Sequence, residues 1–537
     1  MKKKTIAGII TAAALSLSLL AGCTDGGEGR GSISDREEEE EEVKPTEAPT
    51  PTEAPVATPT EAPTPTEAPV REALDYRLLQ LYGYDSANFE RDPDLEEPCA
   101  SAYATHIELL EDDLPELKAA IAQYSAEHER IITDDGIKGI ADMYWTNKES
   151  GFILPVYEKY ETEVVRADTV VTSLLTYYED FMGGAHGVYS FNPVNFDSLT
   201  GEELHLTDIM DDDMIASLPA ILEERLLEEY EREYFFNPDT LAETIEESIY
   251  MNGDLTFSIG YEGLTFYFQI YELAPYAAGH QEVFLRYDDY FGLVKEEYRD
   301  CSFNYFINRD VAGGVLPHTD DLFGAYVTDL SEDGLYQKLV ISLNDNEYTE
   351  KIGAYDADFY IGTIGGENYL FVDMLHENDY ESLNVYYMNS NTGKVELAAK
   401  DIDGGFYGTV PSDPLEFRIY TRGDVLSTYD TYKYYYISRT GEPVSSENYY
   451  FVDTDMTLTT KVDIEAEVRD SFDGTGSMET VKKGEKLHFY ASDNETWVDF
   501  KLNDGRFVRI ILDKAGWPQT IDGVDAVDIF DGIMHAG

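Results

Sequence analysis

Residues 169–196, TVVTSLLTYYEDFMGGAHGVYSFNPVNF, decide how the middle of this chain folds. One β-branched and aromatic run ends at residues 177–178 (YY), and a second run opens at Val188. Between them lies GGAHG, residues 183–187, and glycine readily adopts the positive φ angles that a sharp chain reversal needs. The sequence therefore predicts two strands joined by a hairpin turn.

The hairpin is followed by a mixed pattern of strand and helix. Residues 203–206 alternate as a short third strand, and Thr207 and Asp208 are residue types that cap helices. Apolar side chains recur at helical spacing in two later segments and at a period of two in three others. The predicted helices span 215–226 and 241–249, and the predicted strands span 255–259, 264–270 and 283–287. The pattern indicates an α+β domain with helices on one face of a mostly antiparallel sheet.

Upstream of the hairpin, the pattern predicts a weakly helical segment at 74–98. A strand at 101–109 and an amphipathic helix at 114–127 follow it. Beyond about Ser302 the chain consists of short strands separated by turns, which predicts a β-rich half of unresolved architecture. Residues 481–487 and 497–506 resemble bacterial SH3-like modules, which implies a small barrel at the C-terminus.

The charge of the chain limits its partners. It carries 107 acidic and 38 basic residues over 537 positions, a formal net charge of −69. Such a surface repels phosphate backbones, so no nucleic acid partner is expected. It would attract a basic protein, although an acidic surface also simply keeps an exported protein soluble.

The first 23 residues are typical of a targeting segment. Three lysines precede an apolar run at 6–20, which is too short to span a membrane. The run closes on LAGC, which resembles a bacterial lipobox and implies that Cys23 is lipidated and anchors the mature chain to the outer face of the cell membrane. An ordinary cleaved signal peptide with an incidental cysteine is the alternative.

A proline-rich stalk follows the targeting segment. Four copies of PTEAP lie between residues 45 and 69. Proline at this density favours extended polyproline II structure, which predicts a spacer. Cys99 and Cys301 are the two cysteines that remain in the exported part, and they either form a disulfide or stay as two buried thiols.

Two blocks of the middle region resemble a known domain family. The first contains the hairpin residues above with NFD at 195–197, TG at 200–201 and LHLTD at 204–208. The second contains FYF at 266–268, Tyr271 and APYAAG at 274–279. Both are similar to the C-terminal domain of the lysozyme-sensing anti-sigma factor RsiV, which the peptidoglycan deacetylase PdaC shares.

The resemblance implies an extracellular binding domain whose partner is a lysozyme-like basic protein, with peptidoglycan as the runner-up. The expected contact residues lie on the hairpin tip and the second block: Gly183, Gly184, His186, Tyr276 and Gly279. A hydrogen-bonded histidine within the turn is the plainer interpretation of His186. The sequence shows no His-Glu-x-x-His, Cys-x-x-Cys or Gly-x-Ser-x-Gly motif, so we expect no metal, no cofactor and no catalytic residue.

These observations predict a surface-anchored lipoprotein that binds an extracellular partner, with glycan binding or a wall-acting hydrolase as alternatives. The predicted organisation is a signal peptide with lipobox at 1–23, a disordered stalk at 24–73, a small α+β subdomain at 95–165, the RsiV-like α+β domain at 166–300, a β-rich domain at 301–455 and an SH3-like domain at 456–537.

Overall fold

Six strands form the sheet that carries the central hairpin. This computed structural model describes residues 72–85, 91, 98–151, 154–299, 304–308, 314–513 and 516–535. In sheet order the strands are β18 (Thr409–Val410), β1 (Tyr76–Tyr84), β2 (Ala100–Leu109), β3 (Val156–Ala167), β4 (Val171–Phe181) and β5 (Val188–Asp197). The predicted signal peptide and Cys23 lie outside the described residues, as does nearly all of the predicted stalk.

The predicted hairpin is confirmed, with Asp180 opposite Val188 at its closed end. Strand β2 runs parallel to β3, and the crossover between them contains helices α1 (Pro115–Glu129) and α2 (Asp134–Glu149). The predicted boundary between residues 165 and 166 falls inside β3, which pairs with β2 on one side and β4 on the other.

The predicted third strand at 203–206 is wrong beyond a single bridge between Phe196 and Glu203. The reason is a capping box: the His205 backbone N–H donates to the Asp208 carboxylate at 2.8 Å, so the chain turns into helix α3 (Leu206–Ile209) instead. The rest of this region confirms the α+β prediction. Helices α4 (Asp212–Glu229) and α5 (Leu241–Asn252) share a hydrophobic core with β6 (Phe257–Ile259), β7 (Gly263–Phe268) and β8 (Gln281–Arg286), and a short helix α6 (Glu296–Arg299) follows.

The β-rich half begins with two sheets that share one core. Phe323 and Ile341 of the first sheet pack in the same cluster as Phe359 and Val372 of the second. The first contains β10 (Gly314–Val315), β11 (Leu322–Leu330), β12 (Tyr336–Leu343) and β13 (Asn346–Ala354). The second contains β9 (Tyr305–Asn308), β14 (Asp356–Ile364), β15 (Glu367–Leu375), β16 (Glu381–Asn389) and β17 (Lys394–Asp403).

The C-terminal segment does not close into the expected SH3-like barrel. Its strands belong to a larger open sheet, and within the described residues the first and last strands of that sheet do not pair with each other. Barrel closure requires such pairing. In sheet order the strands are β19 (Phe417–Gly423), β20 (Tyr429–Ile437), β22 (Tyr450–Asp453), β26 (Lys486–Ser492), β27 (Trp497–Lys501), β28 (Phe507–Ile511), β24 (Ile464–Arg469) and β25 (Ser477–Val481). Three short strands pair beside this path: β21 (Pro443–Val444) with β20, β23 (Thr457–Thr460) with β26, and β31 (Phe530–Asp531) with β23. A separate hairpin of β29 (Thr520–Ile521) and β30 (Val524–Asp525) leads into helix α7 (Ala526–Ile529). Within the part of the chain that the structure describes, no helix has the length and apolarity that crossing a bilayer requires.

Polar contacts at β1 join the α+β part to the β-rich half. Arg77 donates hydrogen bonds to the Asp453 carboxylate and to the Tyr420 hydroxyl, and the Ser412 hydroxyl donates to Asp75 at 2.7 Å. Behind this junction the Asp75 backbone N–H donates to the Glu111 carboxyl at 3.1 Å. Burial raises the pKa of Glu111 to about 7, and the nearby Asp75 carboxylate adds to the shift.

Stability should therefore fall between pH 5 and pH 8 in part because of Glu111. Its folded pKa lies above the unfolded value, so the folded state holds the proton more tightly, and this contribution is lost as pH rises through about 7. The free energy of unfolding should decrease less from pH 5 to pH 8 in Glu111→Gln than in the wild type, by about 1–2 kcal/mol. Denaturant unfolding of the wild type, Glu111→Gln and the exposed control Glu116→Gln at both pH values measures it. An unchanged loss in Glu111→Gln would contradict the assignment.

Candidate binding surface

The tip of the β4–β5 hairpin is built on glycines that the backbone requires. Gly183 and Gly184 have φ angles of 99° and 112°. At Gly187 the backbone φ is not positive, but a Cβ would lie 2.2 Å from the Asp180 carbonyl oxygen. Each position therefore needs glycine, for conformational reasons at the first two and for steric reasons at the third.

Helix α2 holds the base of this tip. The Asn147 side-chain amide donates a hydrogen bond to the Met182 carbonyl at 2.8 Å. A Cβ at Gly183 would lie only 2.4 Å from the same amide nitrogen. The tip is thus fixed against the helix at its base, whereas His186 at its end is exposed.

Gln269, which follows β7, holds the second sequence block (residues 266–279) beside the hairpin. Its amide oxygen accepts from the Phe191 backbone N–H at 3.0 Å, and its amide nitrogen donates to the Phe191 carbonyl at 2.7 Å. This pair of bonds attaches the loop 269–280 to the outer edge of β5. The loop contains a short 3-10 helix, Tyr276–Ala278, which is followed by Gly279 with φ 73°.

Aromatic rings from the two blocks form one surface. His186 stacks on Tyr276 with ring centroids 3.9 Å apart, and Tyr189 meets Tyr276 edge-on at 6.1 Å. His280 packs on Phe191 at 4.2 Å. We define the hairpin patch as Tyr177, His186, Tyr189, Phe191, Tyr271, Tyr276 and His280.

The ring contacts keep the patch together at the surface. His186 and Tyr271 are exposed and the other five members are half-buried. The Tyr189 hydroxyl is hydrogen-bonded to the His280 backbone, and burial raises the pKa of Tyr189. Phe191 also stacks on the buried Tyr267, with ring centroids 5.7 Å apart. The patch is therefore a pre-formed surface whose rings are supported from below.

The patch is bordered by carboxylates. Glu179, which lies opposite Tyr189, accepts a hydrogen bond from the Tyr157 hydroxyl at 2.7 Å, and Glu282 lies 3.8 Å from the His280 ring. Lys159 lies 5.9 Å from the centre of the Tyr177 ring and pairs with Glu161. A cation over an aromatic ring beside a carboxylate is therefore already present at this border.

The five predicted contact residues all lie at this surface. Gly183, Gly184 and His186 are on the tip, Tyr276 stacks on His186, and Gly279 lies beside Tyr189. Their role in binding stays a prediction. The hydrogen bond between His186 Nδ1 and the Gly187 carbonyl, 2.9 Å long, fits the plainer interpretation of His186 as well.

Tyr189 and Phe191 of the patch, and Gln269 beside it, were missed from the sequence. Tyr189 and Phe191 lie two residues apart on β5, so their period-two spacing places them on one face and was the available signal. Gln269 gave no local signal, because its partner Phe191 lies 78 residues away in the sequence.

The predicted Cys99–Cys301 disulfide stays a prediction. Cys99 is buried, with 1% of its surface exposed, and Cys301 lies outside the described residues. Burial raises the pKa of the Cys99 thiol to about 11. Among the described residues, no group of three or more histidine, cysteine, aspartate and glutamate side chains is arranged to hold a metal ion.

Comparison with known proteins finds one family model, and the solved structures that match include two DUF3298 family proteins. A DUF3298 family protein from Bacteroides fragilis NCTC 9343 is 18% identical, with a TM-score of 0.31, over 42% of this chain and 95% of its own. A DUF3298 family protein from Pseudomonas aeruginosa PAO1 is 14% identical, with a TM-score of 0.29, over 43% and 99%. No curated protein matches the chain. Residues 207–288, a stretch that includes the 269–280 loop of the patch, match the model of the family described as protein of unknown function (DUF3298).

Proposed function

We propose that this chain is a lipid-anchored protein of the outer cell surface that binds a basic, lysozyme-like protein through the hairpin patch, and that it binds rather than catalyses. The observation that carries the proposal is the stacking of His186 on Tyr276, which joins two sequence blocks into one aromatic surface. Carboxylates border that surface. Aromatic anchor residues and complementary charges are the features by which a protein surface binds a cationic protein.

The choice of partner rests on the resemblance to the RsiV domain and on charge. Lysozyme presents arginine and lysine side chains, and a chain of net charge −69 would increase the rate of encounter with it at low salt. The contact between Lys159 and Tyr177 supports the choice of a basic partner, because it shows an amine bound at the edge of the hairpin patch.

We expect the immobilised full chain to capture egg-white lysozyme at low ionic strength and to release most of it at high ionic strength, because salt screens charges separated by more than roughly 10 Å at 0.1 M. Lysozyme with acetylated lysines, which keeps its arginines but has lost the lysine charges, should be captured more weakly. Absence of capture at low ionic strength would contradict the proposal, as would equal capture of native and acetylated lysozyme.

The membrane anchor is tested separately at Cys23. Cells that express the wild type and are grown with labelled palmitate should yield labelled protein in the membrane fraction, because the lipobox cysteine is the acceptor of the lipid. Cys23→Ala should carry no label, and no lipid should hold it in the membrane fraction. Persistent labelling of Cys23→Ala would exclude this residue as the anchor.

A further inference from the structure

Residues 404–410 connect the C-terminal sheet to the edge of the hairpin sheet, and we call this segment the strap. Gly405 exchanges two backbone hydrogen bonds with Tyr420 of β19, at 3.0 and 2.8 Å. The Gly408 carbonyl accepts from the Leu78 backbone N–H at 2.7 Å, and the strap ends as β18, which pairs with β1. The strap therefore contacts both sheets through its backbone.

Two carboxyl groups attach the strap to a third sheet, the one that contains β15 and β16. The Phe406 backbone N–H donates to Asp373 Oδ2 at 2.7 Å, and the Tyr407 backbone N–H donates to Glu381 Oε2 at 3.0 Å. A Cβ at Gly405 would lie 2.2 Å from Asp373 Oδ1 and 2.3 Å from Glu381 Oε2. Both carboxyl groups therefore reach the same short piece of backbone, and their oxygens approach each other beside Gly405.

This position is unfavourable for two ionised carboxylates. Asp373 is buried, with 6% of its surface exposed. Two like charges in one buried site repel each other strongly, so such a pair keeps a proton that separate carboxyl groups in water would lose. Burial and then repulsion from Glu381 raise the pKa of Asp373 well above its ordinary value, in agreement with the geometry. The closed strap therefore requires a proton on this pair.

Further acidic groups face the pair from both sides. Asp358 of β14 lies opposite Asp373 and adds to the rise in its pKa. On the other side the strap carries Tyr407, whose pKa is raised first by burial and then by the carboxyl pair together with Asp430 and Asp403. These charges repel a second negative charge on the pair, so they favour its protonated state.

The basic groups of the neighbouring elements have other partners. Arg77 of β1 is paired with Asp453. His376, in the turn between β15 and β16, is hydrogen-bonded to the Ser382 hydroxyl at 2.7 Å. Ser382 follows Glu381 on β16, so its side chain points to the opposite face of the sheet. Both basic groups are thus bound outside the carboxyl pair.

We propose that Asp373 and Glu381 form a pH-sensitive switch: the strap is closed against β15 and β16 while the pair holds a proton, and it opens when the proton is lost. Opening separates the carboxyl groups and lets both ionise, so the opening equilibrium rises with pH until the closed pair has itself lost its proton. Because the strap ends as β18, opening also weakens the pairing of β18 with β1. The switch uses no residue of the hairpin patch and goes beyond the proposed function.

Hydrogen exchange of the full chain between pH 5 and pH 9 tests the switch. Each rate is divided by the rate of an unstructured peptide at the same pH, and peptides that cover the strap are compared with peptides from β12. In the wild type the protection of the strap should fall roughly tenfold or more over this range, because opening is favoured about tenfold by each pH unit in which it releases a proton. The protection of β12 should change less.

Two variants replace the proton with an amide. In Glu381→Gln and in Asp373→Asn the amide oxygen can still accept from the strap, and the amide nitrogen can donate to the remaining carboxylate. Each variant should therefore keep the strap protected up to pH 9. The control Glu377→Gln removes an exposed carboxyl group from the turn between β15 and β16, and it should lose protection as the wild type does.

Circular dichroism shows whether each amide variant is folded; if one is not, the other decides, and the wild-type series stands without either. The proposal is overturned if the wild-type strap is equally protected at all pH values, or if its protection falls by the same factor in a folded amide variant. A fall that disappears in Glu111→Gln and persists in the amide variants would also overturn it, because the pH dependence would then come from Glu111.

Discussion

Replacing Asp499 with asparagine should lower the free energy of unfolding by about 3–5 kcal/mol. Asp499, on β27, has a side chain with no exposed surface, and it holds two arginines from the neighbouring part of the sheet. Arg469 of β24 lies 2.6 Å from one carboxylate oxygen, and Arg509 of β28 donates to both oxygens at 2.8 and 2.7 Å. Without the carboxylate, Arg469 would be a nearly buried charge with no opposite charge beside it.

The matched control is Asp504→Asn. Asp504 accepts from Arg506 at 2.8 Å, but both side chains are exposed on the turn between β27 and β28, and water replaces such a pair readily. Denaturant unfolding of the two variants beside the wild type compares a buried and an exposed arginine–aspartate pair on the same hairpin. Equal stabilities of the two variants would show that the buried triad adds nothing to the fold.

The second large effect is expected at Arg166, at the C-terminal end of β3. Its side chain is fully buried, and its Nε donates to Asp168 at 2.7 Å. Its Nη1 donates to the Tyr298 carbonyl at 2.7 Å and lies 3.4 Å from that of Gly260. Arg166 therefore connects the hairpin sheet to the turn between β6 and β7 and to helix α6.

In Arg166→Met the apolar volume is largely kept, but Asp168 loses its cation and two carbonyls lose a donor. We expect the free energy of unfolding to fall by about 3–5 kcal/mol. The control Arg225→Met removes an arginine of α4 that is paired with Glu228 and Glu229 but one-third exposed, and it should cost about 1 kcal/mol or less. Hydrogen exchange on Arg166→Met should show faster exchange at β6 and β7 than in the control. Unchanged stability of Arg166→Met would contradict the connecting role.

Elements with a strong local pattern could be predicted from the sequence. The hairpin turn follows from the glycines at 183, 184 and 187, and helices α4 and α5 follow from leucine and isoleucine at helical spacing. In each case the residues that determine the element lie within the element itself.

Elements that depend on a distant partner could not be predicted. Residues 74–98 were expected to be weakly helical, yet residues 76–84 form β1, because this run of leucine and tyrosine pairs with all nine positions from Ser101 to Leu109 of β2. The contact of Arg77 with Tyr420 joins residues 343 apart in the sequence. The SH3-like barrel fails for the same reason, since β26 pairs with β22 as well as with β27 and thereby extends the sheet.

The candidate surface was predictable in part. The residues on its two blocks were identified because both blocks carry the family resemblance. Their contact, however, depends on the bonds of Gln269 to Phe191 and on the stacking of His186 on Tyr276, and both are side-chain contacts between segments far apart in the chain.

The most direct test of the account is the affinity of lysozyme for the full chain measured by calorimetry in the wild type, the double variant His186→Ala, Tyr276→Ala, and the control Tyr250→Ala. We predict that the double variant binds at least roughly tenfold more weakly, which corresponds to about 1.4 kcal/mol, whereas the control binds as the wild type does. Lysozyme binding of equal strength in all three proteins would contradict the hairpin patch as the binding surface.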